Sequence, residues 1–152
     1  MPKIISYQKT SDAYTTYELR MPDAQGAEGE IYCAELGTVG GLTYVSVPGG
    51  VTLPEQLPQV AATLQTVTPT AELLAQLKAI SPHCVLISER MVQKIRARYS
   101  IDDEMFFARI GVGAAAGMYQ PTPGELAEMQ AFGEFVEAVR QWGRAERAKL
   151  GL

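Results

Sequence analysis

The stretch "TPGELAEMQAFGEFVEAVRQWGRAERAKL", residues 122–150, decides how this chain is read. Thr122 supplies a capping hydroxyl, Pro123 stands at the first helical position, and Glu125 falls where a capping-box acid reaches back, so the segment predicts a long helix. Along it Met129, Phe132, Val136, Val139 and Gly143 recur at 3,4,3,4 spacing, and Phe135 and Trp142 make a second stripe beside them. A face this broad must be covered by other helices, a sheet or another subunit. Met129, Phe132, Phe135, Val136, Val139 and Trp142 are therefore the candidate interface residues.

Upstream, "RYSIDDEMFFARIG" (98–111) sets three acids in a row after a serine. The Ser100 side chain can accept a bond from the backbone N–H of Asp103, which makes it a helix cap. Asp102, Asp103 and Glu104 then fill a first turn whose exposed N–H groups favour carboxylates. Successive helical side chains diverge by about 100°, so the three acids do not converge on one metal or substrate atom. Ser100, Asp103, Thr122 and Glu125 are thus read as capping residues.

Further back, Thr68-Pro69 predicts another helix start, with Leu73, Leu74, Leu77 and Ile80 as a buried stripe ending at Ser81-Pro82. "HCVLI" (83–87) reads as extended. Ser88 then caps a helix with Val92, Ile95 and Tyr99 inward and Arg90, Lys94 and Arg98 outward.

The first third follows a different period. Alternating, β-branched and aromatic residues at 3–8, 13–21, 29–37 and 42–47 predict four strands separated by glycine-rich turns. Connections this short cannot hold a parallel crossover, which argues against a doubly wound nucleotide fold in this half. Pro54, Pro58 and Pro69 punctuate the next segment and limit any helix to a short piece near 55–65. The expected fold class is α+β: a small antiparallel β-meander in 1–52, a connector at 53–67, and a helical unit over 68–152 with three to four helices and a long terminal one.

The chain has 152 residues, 47% of them hydrophobic, enough to bury a core. A net charge of −4 and a pI near 5.0 oppose general attraction to nucleic acid or anionic membranes. No apolar run reaches the roughly 18–20 residues that span a bilayer, and the start lacks the apolar core of a secretory signal, so cytoplasmic residence is expected. Cys33 and Cys84, without CxxC spacing, read as reduced thiols, with a single bridge left open.

No motif assembles a site. The one histidine, His83, has no nucleophile context, and with two distant cysteines it makes no clustered zinc ligand set. "GVGAAAG" (111–117) lacks the preceding strand and the ribose acid of a dinucleotide loop, and "VPGGV" and "GTVGG" lack the lysine of a phosphate-binding loop. The former reads as helix packing or a helix–helix turn, the latter two as hairpin turns. No catalytic residue, cofactor or metal is expected.

The second half, roughly 68–152, resembles a recurring carboxyl-terminal region of uncharacterised prophage proteins associated with tail or baseplate genes. The carriers are "ISPHCVLISERMVQKIRARYSIDDE", with Arg98-Tyr99-Ser100 before Asp103-Glu104, and the ending "EFVEAVRQWGRAERAKLGL". The intervening "FFARIGVGAAAGMYQPTPGEL" departs from the shorter form expected of that region. The resemblance implies a non-enzymatic structural or assembly protein, in the cytoplasm or within a phage particle. Its helical half would dock on other tail or assembly proteins or form a homo-oligomer; no active-site residue comes with it.

Two other classes stand beside this one. A small enzyme could use Asp103 or Glu104 as general base beside Arg109 or a tyrosine. A nucleic-acid binder could use the face of Arg90, Lys94 and Arg98, together with Arg96, although no aromatic interleaving or reader motif accompanies it.

Overall fold

The computed structural model describes residues 1–22 and 33–152. Its elements run β1 (Lys3–Tyr7), β2 (Ala34–Val39), β3 (Leu42–Val47), α1 (Pro58–Ala61), β4 (Gln65–Val67), α2 (Ala71–Ile80), α3 (Pro82–Arg96), α4 (Ile101–Ala115) and α5 (Pro123–Lys149). The protein is α+β, with an antiparallel sheet in the first half and a long last helix. The chain divides into two compact units, Met1–Leu86 with Glu146–Leu152, and Ile87–Ala145.

In the first unit the strand order is β2-β3-β1-β4, every neighbour antiparallel. β2 and β3 form a hairpin through Gly40 and Gly41, whose φ angles of 59° and 81° are the positive pair that a two-residue turn requires. A bulge between Glu35 and Gly37 bends β2, and α2 lies against that strand. A Cβ on Gly37, where φ is 139°, would stand 2.7 Å from Ile80 Cδ1, so helix and strand approach more closely than a side chain allows.

Both faces of the central strands are covered. Ile5, Tyr7, Val45 and Val47 pack with Leu19 and Val60 into one core cluster, with Tyr17, Cys33, Val51, Leu53 and Leu64 packed against it. On the opposite side of the same strands Ile4, Ser6, Tyr44 and Ser46 are also buried. The chain end reaches β1, since a Cβ on Gly151 would touch Pro2 and Ile4.

The strand expected at 13–21 does not form. Only the isolated bridge Thr10–Thr16 pairs there. Asp12 Oδ1 instead accepts from the backbone N–H of Tyr14 (2.7 Å) and Thr15 (2.6 Å), turning the chain. Gln56 then clamps Arg20, accepting from its N–H at 2.8 Å and donating to its carbonyl at 2.9 Å. The alternation survives in burial, with Tyr17 half-buried and Leu19 buried, while the backbone partners come from elsewhere. The strand expected at 29–37 begins at Ala34, and residues 29–32 lie outside the described ones. The fourth strand is Gln65–Val67, within the stretch read as connector, and the short connector helix is Pro58–Ala61.

Helix starts also shift. Thr70, not Thr68, caps α2, accepting from Leu73 N at 3.2 Å. Leu77 is fully buried, Leu73 and Leu74 half-buried, and Ile80 exposed by burial fraction although its side chain lies over Gly37. "HCVLI" is helical, not extended: Ser81 holds the extended conformation a residue before proline prefers, and Pro82 opens α3 at once. Ser88 therefore lies inside α3 and is no cap. The inward stripe is Cys84, Ile87, Met91 and Ile95, while Val92 is 56% exposed.

Candidate functional site

In the second unit Ser100 and Asp103 form a reciprocal cap. Asp103 N donates to Ser100 Oγ at 3.0 Å, and Asp103 Oδ2 accepts from Ser100 N and Oγ, each at 2.7 Å. The Ser100 side chain first, then its backbone N–H, holds the Asp103 carboxyl below the usual carboxylate range. Glu125 does the same at the start of α5. Its Oε2 accepts from Thr122 N (2.8 Å) and Oγ1 (3.1 Å), while Tyr119 Oη donates to Oε1 at 2.8 Å. The Thr122 backbone bond foremost, then the Tyr119 bond, lowers the Glu125 carboxyl, and the bond to Glu125 raises the Tyr119 phenol.

A cleft of about 360 Å³ opens beside the first cap, lined by Arg98, Tyr99, Asp103, Phe107, Glu128 and Ala131. Two of its lining residues, Tyr99 and Phe107, belong to an aromatic cluster. Tyr99 meets Phe132 edge-on at 5.0 Å, Phe132 stacks on Phe107 at 5.2 Å, and Phe135 lies 5.7 Å from Tyr99. The Arg98 guanidinium lies 4.8 Å from the Phe135 ring centre and 5.4 Å from that of Tyr99. The cleft thus offers one cation, Arg98, stacked on aromatic rings, and two carboxylates, Asp103 bound to its own cap and Glu128.

The other charged candidates are dispersed. Glu104 pairs with Arg96 at 2.7 Å. Lys94 sits 4.7 Å over the Trp142 ring. Arg90 and Arg109 are exposed, and among the described residues neither pairs with Asp103 or Glu104. His83 is half-buried in the first turn of α3 next to buried Cys84, and Cys33 and Cys84 are not joined in a disulfide, with burial raising the Cys33 thiol. Among the described residues no group of three or more His, Cys, Asp or Glu is placed to hold a metal.

The candidate interface residues of α5 face inward within this unit. Val139 is buried, and Met129, Phe132, Phe135, Val136 and Trp142 are half-buried. Gly143 is buried where a Cβ would collide with the Met91 thioether. "GVGAAAG" continues α4 to Ala115 and then turns at Gly117, whose φ is 69°.

Most of the apolar groups that the second unit leaves in solvent were not singled out by the sequence, and Val92 was expected inward. Val92, Ile101, Met105, Phe106, Val112, Met118, Tyr119 and Leu126 all expose more than two-fifths of their surface. For Ile101, Met105, Phe106 and Val112 the signal lay in α4, which is apolar on more than one side.

The fold and site define an α+β protein in whose second unit Asp103 and Glu125 serve as caps, Arg96 and Glu104 as an ion pair, and Lys94 and Arg98 as stacks on aromatic rings. No protein-family model matches the chain, and no curated protein and no solved structure matches it. No helix among the described residues is long and apolar enough to cross a membrane.

Proposed function

We propose that the protein is a non-enzymatic assembly module that works through protein–protein contacts made by its helical unit. One observation carries this: the helical unit leaves Ile101, Met105, Phe106, Val112, Met118 and Leu126 in solvent. Large apolar groups left exposed on a helical surface offer contact area to a partner. The cleft supports the same reading, because its Asp103 carboxylate is engaged by Ser100, which holds it below the usual carboxylate range and makes it a weaker base. The resemblance of residues 68–152 to prophage tail- and baseplate-associated proteins gives the setting, with other tail or assembly proteins as partners.

Co-expression with the products of adjacent genes, followed by size-exclusion chromatography with light scattering, tests the proposal. A stoichiometric complex is expected, and it should be lost when Phe106→Asp and Leu126→Asp are combined. Elution of the chain free of every such product overturns the reading.

A further inference from the structure

Helix α4 carries two apolar sides. Phe107 and Ile110 are buried, with Gly111 and Ala114 half-buried beside them. A different side presents Ile101, Met105, Ala108, Val112 and Ala115 at 4,3,4,3 spacing, all of them exposed. At 3.6 residues per turn these positions fall within an arc of about 80°, the width of a coiled-coil seam. Ile101, Met105 and Val112 expose 59%, 61% and 66% of their surface.

One edge of the seam is charged. Asp102 and Arg109, seven residues apart, lie on the same edge and are exposed. Their neighbours are engaged, Asp103 with Ser100 and Glu104 with Arg96, whereas Asp102 and Arg109 have no ion-pair or hydrogen-bond partner among the described residues.

We propose that this seam docks on the same seam of a second copy of the chain, with the two α4 helices antiparallel about a two-fold axis. Met105 of one copy then packs on Ala108 of the other, and Ile101 on Val112. In an antiparallel pair each edge of the seam meets the same edge of its partner, so Asp102 of each copy faces Arg109 of the other. Two-fold symmetry makes that pair twice. A parallel arrangement would set the two acidic starts, each with Asp102, Asp103 and Glu104, side by side, and repulsion opposes it. Ala108 at the centre keeps the helix axes close. A contact made by 15 helical residues is at the small end of specific interfaces, so the dimer is concentration-dependent.

The inference rests on the assembly reading and names one of its partners. Light scattering and sedimentation of the full chain alone, across a concentration series, should show a monomer–dimer equilibrium. Met105→Asp with Val112→Asp should leave a monomer with unchanged circular dichroism. Asp102→Arg and Arg109→Asp, each turning two attractions into repulsions, should each weaken the dimer by about tenfold, and the double swap should restore it. A strict monomer, a dimer indifferent to the Met105 and Val112 changes, or a double swap no better than the singles overturns the pairing. If the isolated chain is monomeric yet binds products of adjacent genes, self-pairing fails and the assembly reading stands; if it binds nothing, both fail.

Discussion

The two compact units bury their apolar residues to different depths. In the sheet unit Leu36, Val45, Val47, Val60 and Leu77 are completely enclosed, and even Thr43, Ser6 and Ser46 are buried in the strands. In the helical unit Phe107, Ile110 and Val139 keep a few percent of their surface exposed, and most of the aromatic cluster is only half-buried. A sheet covered on two faces encloses the side chains of its central strands, whereas helices satisfy their backbones internally and depend on neighbours for their faces. Where α4 has no neighbour, its second apolar side is left over. Both units also expose large apolar groups, Tyr14, Val85 and Leu86 in the first and Ile101, Met105 and Val112 in the second, and in the second these three share one side of α4.

Substitutions that probe this contrast differ in size. Leu36→Ala should cost about 2–5 kcal/mol and Phe107→Ala about 3–5 kcal/mol, read as urea midpoints with unchanged slopes. Equal loss at Met105→Ala, which should stay within about 0.5 kcal/mol, would erase the distinction between core and offered surface. Gly37→Ala should cost about 1–3 kcal/mol because its methyl meets Ile80 in a backbone conformation that suits glycine, and Ile80→Ala in the same chain should recover part of the loss.

The capping boxes give a smaller and pH-dependent effect. Ser100→Ala should cost about 0.5–2 kcal/mol, with α4 fraying first in hydrogen exchange. Asp103 and Glu125 are both held below their usual carboxyl range, so their stabilisation is present above the unfolded-state values. It is lost as pH falls through the lower folded-state values. An acid titration of the unfolding midpoint should therefore be shallower in Ser100→Ala than in the parent chain.

The legible parts of this molecule are those written within one helical turn. The pairs Ser100 with Asp103 and Thr122 with Glu125 are three residues apart, so donor and acceptor meet once the helix forms, whatever packs around it. Pro82 was harder, because proline both ends one helix and begins another; only the chain geometry at Ser81 separates a stop from a restart. The segment around Tyr17 and Leu19 alternates like a strand because extended chain turns successive side chains to opposite sides. Gln56, far along the chain, takes the hydrogen bonds a sheet neighbour would have made.

By itself, then, the sequence determined the α+β class, the long terminal helix and the caps at Ser100 and Thr122, all set by local periodicity and short-range bonds. The tertiary structure alone decided that Gln65–Val67 completes the sheet, that Cys84, Ile87, Met91 and Ile95 form the inward side of α3, and that one apolar side of α4 stays uncovered. Strand pairing and burial depend on residues distant in the chain, and periodicity shows that a face is apolar without showing what will lie on it.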